Sequence, residues 1–252
     1  LGRGKLSAAG AMTSRPHGRG LARELGAFAE PADLGLHFNL TCAAPLGAMP
    51  RLAPGGELPA LGIVARAAVL APAVRREIAA EFRRQLDAFE EALGRPPDFV
   101  DGHQHVHVLP GVRRAVLDGL ARRYPAGSVY VRDPADRVSA IRARGVAVGK
   151  ALVIAGLASG FRTAALRREL RVNRGFAGVA PFDPARDFAA DLARFLVCPG
   201  PAHLVMCHPG FVDDELERLD PVVATRPVEH AALAPCVPPS DPPLRRLSQL
   251  GV

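Results

Sequence analysis

Apolar and polar positions along this chain follow two periods in turn, and the alternation predicts its class. The clearest stretch starts at Pro72, where Ile78, Phe82, Leu86, Phe89 and Leu93 recur at steps of four, four, three and four before Gly94 and Pro96. That spacing is one face of a helix, with proline suited to the first turn and glycine to the stop, so a core-facing helix is predicted. Further helices are predicted over residues 20–30 (Leu21, Leu25 and Phe28 on one side), 111–124 and 184–196, with helical stretches between 138 and 170. Short apolar runs at 6–12, 34–40, 128–132 and 204–207, and one opening at Phe99, read as strands, and the Pro/Gly-rich segment 45–62 reads as a loop. Strands alternating with helices argue for a parallel sheet or barrel rather than a sandwich. The 252 residues suit one such unit, since (β/α) barrels run to about 250 residues. Residues 1–233 are therefore read as a single α/β domain, followed at 234–252 by a Pro-rich irregular tail that contributes little.

The chemistry gathers where these strands end. Phe99-Val100-Asp101-Gly102-His103-Gln104-His105-Val106-His107 holds three of the eight histidines and a carboxylate. In an extended segment alternate side chains share a face, so His103, His105 and His107 are expected to point one way and Gln104 and Val106 the other. Neutral imidazole is a common transition-metal ligand, so the cluster predicts a metal site. Singly, each histidine fits a hydrogen-bonded core residue equally well. Two more apolar runs carry a histidine at or near their ends: His37 within Leu34-Gly35-Leu36-His37-Phe38, and His208 within Met206-Cys207-His208-Pro209-Gly210. Parallel barrels build active sites from the C-terminal ends of several strands.

Charge and cysteine usage narrow the class. The net charge of +7 suggests nucleic acid, yet only Lys5 and Lys150 are lysines, and arginine with abundant Ala, Gly and Pro reads as codon bias. No basic stripe is interleaved with aromatics, so no nucleic-acid partner is expected. The basic run over residues 162–174 reads as a solvated helix face and the turn after it. Cys42, Cys198, Cys207 and Cys236 form no C-x-x-C pair, which disfavours a zinc ribbon or disulfide scaffold. No apolar stretch reaches the roughly 18 residues of a membrane span, and no secretion signal is read at residues 1–5, so a cytoplasmic location is the default expectation. Oligomeric state is not encoded; a homodimer is one option.

Gly35-Leu36-His37-x-x-Leu40-Thr41, the Asp101 to His107 run, Gly175-Phe176-Ala177-Gly178 and Met206-Cys207-His208-Pro209-Gly210 resemble, in order, the signatures of the YdjC-like carbohydrate deacetylases, over roughly residues 3–233. The resemblance implies a deformed (β/α) TIM-like barrel of the polysaccharide-deacetylase type. It also implies one divalent metal, Mg or Zn, that helps remove an acetyl group from an N-acetylated sugar. The family's metal is held by an Asp and two His, and the two His correspond to His37 and His103. The family opens with a strand ending in Asn-Ala-Asp-Asp-Phe-Gly, one Asp binding metal and its neighbour acting as general base. Residues 1–9 resemble a segment beyond that motif, so the first strand is expected to be missing, leaving a seam that exposes Leu6, Ala8 and the strand of Leu36.

Within that implied site, His208 is the candidate general acid for the leaving sugar nitrogen. Asp101 would orient an imidazole from behind. Arg132 could steady a carboxylate or the substrate, and His105 and His107 are further substrate-facing candidates. Two other classes compete. A different barrel-type metal hydrolase would draw on Asp213 and Asp214 as carboxylate ligands, and a catalytically silent homologue would keep the sugar pocket without turnover.

Overall fold

The computed structural model describes residues 1–2, 4–15, 18–220, 222–235 and 243–251. Five strands, β1 (Ala8–Ala11), β2 (Asp33–Phe38), β3 (Phe99–Gly102), β4 (Tyr130–Val131) and β5 (Arg171–Val172), form one parallel sheet in sequence order. β6 (Phe176–Ala177) and β7 (Leu204–Val205) form a second parallel pair, and a bridge between Arg174 and Ala202 adjoins it. With helices between all successive strands except β5 and β6, this is an α/β fold of the deformed-barrel type. The register matters most at one point: His37 of β2 lies directly opposite Asp101 of β3.

Alternation in β2 decides which residues see the site. Leu34, Leu36 and Phe38 are buried in the main core, where the Phe38 ring meets Phe82 edge-on at 4.9 Å. Phe82 belongs to α3 (Pro72–Leu93), which begins and ends where the apolar spacing places it: Pro72 is in the first turn, and Gly94 adopts φ 66° to close the C-terminus. That left-handed conformation is costly for residues with a Cβ. The alternate β2 residues Gly35 and His37 point to the other side of the sheet.

Other helices are α1 (Gly18–Leu25), α2 (Leu61–Leu70), α4 (Arg113–Arg123), α5 (Val138–Arg144), α6 (Val148–Leu157), α7 (Phe161–Leu166), α8 (Phe188–Phe195), α9 (Asp214–Leu219) and α10 (Thr225–Leu233). The Leu21 side chain, expected on the α1 core face, and Cys236 lie outside the described residues. α2 falls partly in the segment read as a loop, and β6 was not read at all.

Three expectations need correction. Leu36 is fully buried, because its side of β2 is covered by the helix layer, while Leu6 and Ala8 are half-buried in smaller clusters. The basic run is not a solvated face: Arg162 pairs with Asp133, Arg168 with Asp118, and Arg171 sits in a sheet strand and donates to the Ser248 carbonyl. The tail does contribute. Its backbone is irregular apart from a 3-10 turn at Leu247–Gln249, but Leu247 packs with Phe99, Tyr130 and Ala202. Among the described residues no helix is long and apolar enough to cross a membrane.

Candidate active site

His37 sits near the end of β2, Asp101 in β3, His103 just past β3, Arg132 just past β4 and His208 three residues past β7. All lie at the C-terminal ends of parallel strands, where loops can vary without disturbing the sheet. His37 Nδ1 and Asp101 Oδ1 are 2.7 Å apart, and the other oxygen of Asp101 is 2.9 Å from the Arg132 guanidinium. Burial by itself would raise the Asp101 pKa, but Arg132 and then His37 outweigh it and hold the carboxyl well below the usual carboxylate range. With a carboxylate facing Nδ1, the proton of neutral His37 belongs there and Nε2 is left as a lone-pair donor.

The His103 ring lies 5.5 Å from that of His37, edge-on, and His103 Nε2 is buried without a hydrogen-bond partner. A buried polar atom with no partner is uncommon in a folded protein and calls for an explanation. Burial and the neighbouring His37 push the His103 pKa down to about 4, so the ring is neutral at pH 7.

The three imidazoles of the cluster do not share a face. Gln104 and His105 have φ of 49° and 60°, so the chain leaves β3 through a left-handed pair rather than an extended segment. His103 turns to His37, His105 meets Phe176 at 6.1 Å, and His107 meets Phe161 at 5.5 Å while its Nε2 lies 2.6 Å from the Arg132 carbonyl. A Cβ on Gly102 would stand 2.8 Å from His107 Nδ1, so glycine is what admits this ring.

His107 and Arg132 are thus corrected from substrate-facing candidates to buried braces. His107 has no exposed surface, and Arg132, 2% exposed, donates to the Gly102 carbonyl and to Met206 Sδ. His105 is partly buried against Phe176, and burial followed by Arg132 lowers its pKa well below the usual imidazole value.

His208 lies within electrostatic reach of His37, and burial followed by Arg226 pushes its pKa down to about 3. Asp213 is taken up in capping α9, where it accepts from Leu216 N, and Asp214 is an exposed first-turn residue. Neither supplies a ligand.

The apolar pattern did not reveal several supporting residues. Gln85, on the core face of α3, pairs with both backbone groups of Asn39, and Glu81 accepts from Leu46 N, so two polar residues amid Phe82, Leu86 and Phe89 pin the loop that leaves His37. Their signal was polarity at helical core positions. Gly10 of β1 lies beside the pair; a Cβ there would be 3.3 Å from His37 Cβ.

The strand ends of this α/β fold thus bring together a carboxylate-braced imidazole and a second, unpartnered one. The model of the YdjC-like protein family matches residues 1–235, and the chain belongs to that family. It is 43% identical to mouse carbohydrate deacetylase over 112 residues, 41% of this chain and 34% of that protein. It is 34% identical to chitooligosaccharide deacetylase of Enterobacter sp. (strain 638) over 107 residues, 42% of this chain and 40% of that protein. The chain thus spans well under half the length of these curated relatives. In architecture it is similar to a candidate cellobiose-phosphate cleavage protein of Enterococcus faecalis V583, with TM-score 0.63 and 19% identity, covering 92% of this chain and 81% of that one.

Proposed function

We propose that this chain carries the site of a metal-assisted deacetylase acting on an N-acetylated sugar. The observation that carries the reading is the buried, partnerless His103 Nε2 beside His37, whose other ring nitrogen is tied to Asp101. Two imidazoles, one braced by a carboxylate, are the donor chemistry that suits a divalent transition metal. Among the described residues no group of three His, Cys, Asp or Glu converges, so His37 and His103 would hold such an ion as a pair of ligands, without a carboxylate from the described chain. Bound there, the metal would polarise the acetyl carbonyl and acidify a water.

The chain's own residues then have distinct duties. Asp101, kept ionised by Arg132, fixes the His37 tautomer and carries no proton to give. His208 is neutral at pH 7, so it acts as a shuttle rather than an acid that rests protonated: it accepts the proton of the attacking water, then hands it to the sugar nitrogen. The new C–O bond forms, the C–N bond breaks, and acetate and a free amino sugar result. The names of the relatives support an acetylated sugar as substrate.

The test has two arms. Zinc or cobalt titrated into the protein should bind, and the loaded protein should release acetate from an N-acetylated chitooligosaccharide. His103→Ala and His37→Ala should each lose metal and activity, whereas His208→Ala should keep metal and lose about 10²- to 10⁴-fold in rate. Metal uptake unchanged by His103→Ala would overturn the site. The missing third ligand favours a second reading, a sugar binder without turnover, which predicts sugar binding with no acetate release.

A further inference from the structure

His208 stands on a stretch with no strand or helix to hold it: β7 ends at Val205, and residues 206–213 have irregular backbone. Met206 N donates to the Ala177 carbonyl, and beyond it two ties from α10 hold the residues around His208. Glu229 accepts a hydrogen bond from His208 N, and the Arg226 carbonyl accepts from Gly210 N. Glu229 is 2% exposed. A buried carboxylate is expensive unless well bonded, and here its hydrogen bond goes to the backbone of the one histidine that the mechanism needs to aim.

On the ring side lies Phe182, edge-on to the imidazole at 5.5 Å and 79°. Phe182 has φ 59°, a left-handed conformation that is an outlier for a bulky side chain and is strained. It is held by α6: Lys150 Nζ lies 4.0 Å from the Phe182 ring centroid and donates to the Ala180 carbonyl. Phe182 and Glu229 also line one small cleft, together with Thr225 and Val228, so the two contacts belong to a single wall of the structure.

We propose that Phe182 and Glu229 are positioning residues that together fix the His208 imidazole, Glu229 through the backbone and Phe182 through the ring. The proposal rests on the reading of His208 as the proton shuttle. Strain at Phe182 is then the consequence of aiming a ring at His208 from a loop whose backbone would otherwise turn it away.

The decisive experiment is a double-mutant cycle on acetate release by the metal-loaded protein. Phe182→Leu should lower kcat about 10²-fold with KM little changed, as expected when a reacting group is misplaced by about 1 Å, and Phe182→Tyr should restore it. In the His208→Ala background, Phe182→Leu should cost nothing further. An equal loss in both backgrounds would assign Phe182 a merely structural role and overturn the proposal. Glu229→Gln, which still accepts from His208 N, should keep most activity, and Glu229→Leu should not. A second readout is independent of turnover. The His208 ring resonances, assigned by their disappearance in His208→Ala, should shift in Phe182→Leu as the ring current is removed; an unmoved resonance refutes the contact. If the unmodified protein releases no acetate, the shuttle reading fails, and the resonances alone decide whether the clamp exists.

Discussion

Asp33 and Asp101 are both buried carboxylates on neighbouring strands, at opposite ends of the sheet, and they are bonded in different ways. Asp33, opening β2 at the base, accepts from Tyr130 Oη at 3.2 Å, Arg246 Nε at 2.8 Å, Ser248 N at 3.0 Å and Ser248 Oγ. Both oxygens of the Asp33 carboxylate are thus bonded, each by two donors. Asp101 at the mouth is also paired, yet around it His103 Nε2, His105 Nδ1, His107 Nδ1 and Arg132 Nε are all buried and unbonded. A polar cluster that only holds a fold closes its hydrogen bonds; one that leaves several open keeps capacity for something the chain does not itself contain. The base is a clamp, and the mouth is the candidate site.

Acid should separate the two ends most strongly. Burial lowers the folded-state pKa of His103 to about 4 and of His107 to about 3, while in the unfolded chain both titrate near 6.5. Between those values the unfolded state binds more protons, so stability is greatest above pH 6.5 and falls as pH drops toward 4. Each imidazole contributes up to about 1.4 kcal/mol per pH unit, or roughly 5 kcal/mol for the pair between pH 6.5 and 4.5. Denaturant melts of the metal-free protein over that range should show this slope, and His107→Gln should flatten it. A slope unchanged by His107→Gln would mean the mouth is not the acid-sensitive end.

The carboxylates themselves sharpen the contrast next. Asp33→Asn and Asp101→Asn each remove one partner of a buried ion pair, Arg246 in the first case and Arg132 in the second, and each should cost about 3–5 kcal/mol in urea melts. They should part company on metal. Asp33→Asn should leave the affinity of the folded protein for zinc unchanged, whereas Asp101→Asn, which loosens His37, should weaken it about 10- to 100-fold. Equal zinc affinity in the two variants would erase the distinction between clamp and site.

The two ends also differed in how far the sequence announced them. The density of imidazoles after Phe99 drew attention to the mouth at once, and the register that sets His37 against Asp101 follows from two short parallel strands. What the pattern could not carry was the left-handed pair at Gln104 and His105, which sends the three rings to three walls; a single backbone kink overrides the period of two on which the alternation rested. α3 was legible to its ends because it is long, periodic and bounded by Pro72 and Gly94. β6, only two residues long, was not, since pairing and not composition makes it a strand. Asp33 gave no sign of its role because its partners are distant in sequence: Tyr130 lies 97 residues away in β4, and Ser248 lies 215 residues away in a tail that its prolines had marked as idle.

That tail supplies the smallest test. Ser248 contributes its backbone N and its Oγ to Asp33, while its carbonyl accepts from Arg171, so its side chain is one of several donors on a carboxylate already bound to Arg246. Ser248→Ala removes the Oγ bond alone and leaves the rest of the clamp intact. A hydrogen bond to a charged group is worth about 1.5–3 kcal/mol, and with three donors remaining the loss should sit at the lower end, about 1.5 kcal/mol. For a chain of this size that is about 3–6 °C in Tm. Zinc affinity should not move, because the base and the mouth share no hydrogen-bonded partner. A Tm unchanged by Ser248→Ala would mean that the tail does not clamp the base in solution, and that Asp33 is satisfied there by water.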